Sequence, residues 1–392
     1  QLDLATDVIT LRGAGSEQTI LSFVGQHSGS QGIQATGDNL VIESLAVEDT
    51  AGNAIKVLGA RNVTLRNVRA EWTGPASPTN GAYGLYPVQC QNVLIEKCTA
   101  IGASDAGIYV GQCRQVIVRN CRAERNVAGF EIENTVDADA YDNIATQNAG
   151  GFLVFDLPGL QLKACRNVRV FRNRVFENNH DNFAPPGNTV AQIPPGTGVM
   201  VMASDYVEIF DNHIADNQTA NMTLVNYGIT GKKVGDTRFD LISEGITVRD
   251  NRFSGGGDKP RGNLGGLLAR VVGAPLPDIL YDGVVTPQKL VNGRLPYELR
   301  LAITGNGDAT FANFHWAEIT PAKLAAGDVA VDRDLAPYSH RREPLPRVQL
   351  AEHAPPTSGD LGATAIYRAA PQQLSEWGLF KGDGSTQEPV DG

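Results

Sequence analysis

Between residues 105 and 182 the chain collects acids, tyrosines and a histidine that a repeating backbone would bring together. Glu131 and Glu133 stand two apart in Gly129-Phe-Glu-Ile-Glu, Tyr109 holds the place of Glu131 one repeat earlier, and Asp156 closes the next repeat. His180-Asp181-Asn182 opens an insertion rich in proline and glycine. Carboxylates beside a histidine and a tyrosine form an acid–base set. Stacked carboxylates also repel, which pushes one pKa upward and separates a proton donor from a base. The candidate catalytic residues are therefore Tyr109, Glu131, Glu133, Asp156, His180 and Asp181. Asp105, Tyr86, Asn182 and Phe155 are the candidate substrate-binding residues. The competing reading makes the glutamates solvated surface charges and gives His180-Asp181 the task of capping the loop's backbone.

The elements that would position these residues come from a repeat of about 22 residues. Gly107-Ile-Tyr-Val, Gly129-Phe-Glu-Ile and Gly151-Phe-Leu-Val open three copies at equal spacing, with looser copies near Gly32, Asn53, Gly84, Gly198 and Asn221. Short alternating strands at this period, without a helical pattern, predict a parallel β-solenoid. A second strand recurs as Val63/Leu65, Val93/Ile95, Val116/Val118, Val168/Val170, Val207/Ile209 and Ile246/Val248, its pairs pointing inward. Five residues after the first member of each pair come Val68, Cys98, Cys121, Asn143, Asn173, Asn212 and Asn251, and two further on a row of alanines and larger apolar residues. The asparagines predict a stacked corner ladder. Outward rows on the first strand read Tyr86, Tyr109, Glu131, Leu153, Met200, Thr223 and Gly111, Glu133, Phe155, Met202, Val225. The apolar half of these rows needs a cover. The long insertion at about 178–196 leaves the turn just before them and is expected to hang over Glu131, Glu133 and Asp156.

The repeat and the asparagine ladder, over roughly residues 10–255, resemble the right-handed parallel β-helix proteins of the pectate-lyase-like superfamily. That resemblance implies an all-β, single-stranded right-handed solenoid of three-strand coils, with a substrate groove on its outer wall. It also implies carbohydrate chemistry and a periplasmic or secreted location. The polygalacturonase series Asn-Thr-Asp, Asp-Asp, Gly-His-Gly is absent. Asn179-His180-Asp181-Asn182 only partly echoes the Asp-Pro-His-Asp of mannuronan epimerases.

Composition narrows the rest. A net charge of −10 argues against general nucleic-acid binding. No apolar run is long enough for a membrane-spanning helix. The opening Gln1-Leu-Asp-Leu already reads as strand, so a removed leader is expected. The expected units are a β-helix at 1–255 and an irregular region at 256–392 that packs back and caps the solenoid, with a helix near Pro321, an extended segment at 335–360 and a flexible tail from Gly382. Five cysteines stack in two sets (Cys90, Cys113, Cys165; Cys98, Cys121), favouring buried thiols over disulfides.

Three further patterns compete for function. Asp137-Ala-Asp139-Ala-Tyr-Asp142 resembles half a calcium loop without the glycine and distant glutamate, so calcium is a minor option and the cofactor stays open. Tyr141, Phe171 and Phe210 form an outward aromatic row suited to packing. Arg69, Arg122, Arg174, His213 and Arg252 form a basic row. The resulting expectation is an enzyme acting on a polysaccharide, one containing uronate, by β-elimination or C5 epimerisation, with glycoside hydrolysis as a variant. The alternative is a non-catalytic binding or scaffold protein, or an enzyme for a small apolar molecule. Substrate identity and oligomeric state stay open.

Overall fold

A computed structural model of the chain describes residues 1–351. Each regular coil contributes three parallel strands, as in Ala106–Gly111, Arg114–Arg119 and Arg122–Glu124. The first strands stack into a sheet of eleven among the described residues, from Leu2–Leu4 to Phe311–Asn313. The second and third strands share a sheet of seventeen, because Leu40–Glu48 and Arg61–Glu71 run unbroken through both positions. The register matches the repeat: Ile108 faces Phe130, which faces Phe152, and the valine pairs of the second strand lie in line. These side chains fill the core, where Phe130 and Phe152 stack at 4.8 Å. All five cysteines are buried free thiols.

The asparagine row forms a ladder that runs one coil further than the sequence suggested, to Asn306. From Asn143 through Asn173, Asn212 and Asn251, the backbone N–H and the side-chain amide both donate to the next Oδ1, at 2.9–3.1 Å. A second, unanticipated ladder follows five residues later through Asn126, Asn148, Asn178 and Asn217. Buried amides in such a chain are costly to orphan. Asn212→Leu strands two donors of Asn173 and is expected to cost about 3 kcal/mol, read as a lower urea midpoint at unchanged slope.

The solenoid does not end near residue 255. Ile279–Tyr281 and Phe311–Asn313 add to the first sheet, and Ala302–Thr304 to the second. The expected unit at 256–392 therefore begins inside the β-helix. Long insertions hide the period there, one of them carrying the unpredicted helix Gly262–Val272. The short helix near Pro321 is present as Pro321–Ala326, capped by Thr320. Residues 342–351 run back along the outer wall of the second strands. The N–H groups of Leu345, Val348 and Ala351 donate to Glu208, Asp139 and Asn92 at 3.3, 3.3 and 2.9 Å. Each step of three residues crosses two coils. A polyproline-II turn rises about 9.3 Å and two coils about 9.6 Å, so the two periods match, and Pro344 and Pro346 favour that backbone. The expected tail from Gly382 lies outside the described residues.

Two competing patterns find structural partners. Asp137, Asp139 and Asp142 accept from Asn167, Arg169 and Arg172 of the next coil. Tyr141, Phe171 and Phe210 stack at 4.8 and 4.7 Å beside Arg169, Arg172 and Arg249. Among the described residues no group of three or more His, Cys, Asp or Glu is arranged to hold a metal ion.

Candidate active site

The site sits on the outer face of the first sheet, and a recurring bulge shapes it. The N–H groups of Asp105 and Ala106 both reach the carbonyl of Ala82. Ala149 and Gly150 do the same to Val127, and Gly196 and Thr197 to Ala149. Two donors on one acceptor shift the alternation by one residue. One coil earlier Tyr83, which shares the parity of inward Leu85, also lies on the outer face, its N–H donating to the Asn53 side chain at 3.1 Å. It packs against Tyr86 at 4.3 Å and Tyr109 at 4.8 Å.

Below the tyrosines, Asp105, Glu131 and Glu133 line a cleft of about 340 Å³. Its far side is Leu153, Phe155, Leu157, Met200 and Met202, and its roof is the stretch Gly187–Val190 with Ile193. Tyr83 and Asn188 line the cleft with Asp105, and both hold its pKa down against the effect of burial. The Tyr109 hydroxyl holds the Glu133 pKa down against burial, and its ring lies along its own strand over Gly111. A Cβ at Gly111 would collide with that hydroxyl, so glycine is what lets Tyr109 reach the next coil. Glu131 is 3% exposed and its Oε1 has no hydrogen-bond partner among the described residues.

Burial dominates the electrostatics. It lifts Asp105 to about 7, with repulsion from Glu133 adding to it, and lifts Glu133 to about 7. Glu131 is pushed well above the usual carboxylate range by burial and then by Asp105 and Glu133. Asp156, just under the cleft, rises to about 8 through burial and Glu133, and its Oδ1 is also unpartnered among the described residues. Tyr83 and Tyr109 stay neutral phenols, their pKa values raised by burial first and neighbouring carboxylates second. At neutral pH the cluster thus holds protonated and ionised carboxyls side by side, as acid–base chemistry requires.

The structure gathers Asp105, Glu131, Glu133 and Phe155 in the cleft, with Tyr109 and Asp156 close enough to influence the Glu133 carboxyl or be influenced by it. It does not bring in His180, Asp181 or Asn182. The chain after Asn178 follows the solenoid's corner, with His180 N–H on the Asn148 carbonyl, and only later swings over the sheet. His180 Nδ1 lies 2.8 Å from the Asp181 carbonyl, with its ring against Phe183. Asp181 pairs with Arg261. Asn182 spends its amide on Val190 and Ile193 carbonyls, both at 2.9 Å, pinning the loop. Tyr86 stacks behind Tyr83, with Lys56 Nζ 5.6 Å above its ring. Sequence reasoning missed Tyr83, because its parity matches that of inward Leu85, and Asn188, whose only signal was its place in the long insertion.

A family model described as right handed beta helix region matches residues 8–157. The chain folds as a right-handed parallel β-helix. No curated protein matches its sequence. Among solved structures, this β-helix is similar to the A-module of mannuronan C-5 epimerase AlgE4 from Azotobacter vinelandii. The identity is 16% and the TM-score 0.52, covering 77% of this chain and 79% of that one. The periplasmic alginate epimerase AlgG gives 13% identity and a TM-score of 0.41 over 78% and 73% of the two chains. Pectate lyase Pel9A gives 13% and 0.38 over 66% and 62%. At these identities the likeness is one of fold.

Proposed function

We propose that this β-helix protein is a carbohydrate-active enzyme that holds a polysaccharide segment in the cleft and moves protons through Asp105, Glu131 and Glu133. The observation that carries the reading is Glu131: a buried carboxyl facing the cleft with an oxygen left unpartnered. A hydroxyl donor from a ligand would complete it. A sugar ring offers hydroxyls along its edge and an apolar C–H face, which suits carboxyls opposite Leu153, Phe155, Met200 and Met202. The loop leaves this cleft open rather than packing dry on the sheet, which favours a ligand site over a scaffold.

In the reaction that the charge of the wall favours, a protonated carboxyl gives its proton to the glycosidic oxygen as the C1–O bond breaks. An ionised neighbour takes a proton from the water whose oxygen bonds to C1. The products are two shorter chains, one with a new reducing end. A second reading, abstraction of the proton α to a uronate carboxylate, is supported by two features. The near-neutral carboxyls include a base and a neutral donor for the substrate's acid group. Tyr109 stands by Glu133 to return a proton. The first would make reducing ends, and the second would make an unsaturated uronate or exchange a proton without cleavage. Export to the periplasm or beyond belongs to the same proposal, since such polymers lie outside the cytoplasm.

A panel of neutral, anionic and cationic polysaccharides, with and without calcium, tests this. Reducing ends, ultraviolet absorbance and proton exchange by NMR are followed together. Release of reducing ends without absorbance is the expected result. Silence in all three channels would overturn the carbohydrate reading.

A further inference from the structure

Buried carboxylates elsewhere on this solenoid have a cation beside them or, as at Asp282, accept from backbone N–H and amide groups. Glu96 lies between Arg66 and Arg119, each at 2.6 Å. Glu208 has Arg249 at 2.9 Å and Arg169 at 3.9 Å, and Glu244 has Lys289. The cleft is built differently. Asp105, Glu131 and Glu133 line it together, and no lysine, arginine or histidine is among its described lining residues. Lys232 reaches the rim only to bond the Thr189 hydroxyl at 3.0 Å. His180 points away, and Arg261 is engaged with Asp181.

From this contrast we infer that the cation missing from the cleft arrives with the ligand, and that the substrate is a glycan of amino sugars bearing free, protonated amines, bound at Glu131. The inference rests on the carbohydrate reading and narrows it. Uncompensated buried carboxyls are costly, and a ligand ammonium would repay that cost while donating to the unpartnered Glu131 Oε1. Tyrosine faces attract cations, and this cluster already holds one: Lys56 sits over the outer ring, Tyr86. Tyr83 lines the cleft itself. The apolar wall suits the C–H face of the same sugar. A uronate would instead add a negative charge to three acidic groups.

Calorimetric titration of the full chain tests this with three oligosaccharides of equal length: glucosamine with free amines, its N-acetylated form, and mannuronate. A pH near 7 keeps part of the amine protonated while Asp105 and Glu133, which titrate at about 7, are partly ionised. The free-amine oligosaccharide is expected to bind at least about tenfold more tightly than either other, with Glu131→Gln erasing that advantage. The comparison among ligands uses the unaltered protein, so it stands even if the variant folds poorly. Tighter binding of the acetylated or uronate oligosaccharide would overturn the amine inference and leave the carbohydrate reading intact. Phenethylammonium is the fourth probe. If it binds while every oligosaccharide fails, the glycan assignment falls and cation recognition stands. No binding by any of the four overturns the inference.

Discussion

Glu131→Gln is expected to remove turnover without unfolding the chain. On whichever panel substrate the protein accepts, kcat/KM should fall by about 100- to 10,000-fold, the usual worth of a positioned acid or base. The glutamine keeps the shape of the side chain, and its amide can donate to the neighbouring carboxyls. Thermal melting should therefore show an intact cooperative transition. His180→Ala is the matched control. Sequence alone ranked His180 with Glu131, but the ring is held by the Asp181 carbonyl and Phe183, outside the cleft. Its activity should stay within about twofold of the parent, too small a change for a lost proton-transfer group. Near-normal activity in Glu131→Gln, or a collapse in His180→Ala, would show the site to be misplaced.

The second large effect is on stability against pH. In the folded chain Asp105 and Glu133 titrate at about 7 and Asp156 at about 8, while the unfolded chain titrates these groups near 4. Between those values the folded state binds more protons than the unfolded state, so raising the pH favours unfolding. The stabilisation is complete below the unfolded values and is lost as pH climbs through 7 and 8. A shift of three units is on the order of 4 kcal/mol, so the combined slope should be large. Asp205 and Asp282, raised by burial to about 6, act in the same direction. Asp38, Glu96 and Asp236 are lowered by arginine or lysine partners and oppose this only at acid pH. Tm by calorimetry should thus peak near pH 5 and fall steadily toward pH 9. A flat or rising profile would mean the carboxyl cluster is solvated. Glu133→Gln should flatten the slope.

Much of the scaffold was legible because a solenoid repeats its own chemistry. Ile108, Phe130 and Phe152 occupy equivalent places, so one aligned position reports the surroundings of all three. The asparagine row was readable for the same reason. So was the second row at Asn126, Asn148, Asn178 and Asn217, which follows the first at a constant offset and was overlooked. Glu131 and Glu133 were placed correctly by alternation within a strand whose inward neighbours were known. The helix Gly262–Val272 was not legible, since three glycines weaken its local signal and its apolar face takes its meaning from the outer wall it covers.

The sequence by itself determined the coil, the inward rows and the strand face on which the acids lie, because these follow from short-range periodicity. Tertiary structure decided which groups meet across the cleft. A break in alternation at the start of a strand left Tyr83 outward against its parity, its N–H on the Asn53 side chain. A corner path carried His180 and Asp181 away from the acids, while the same loop brought Asn188 into the cleft that Asp105 lines. Those outcomes depend on hydrogen bonds between coils and on the course of a loop through space, which no local pattern encodes.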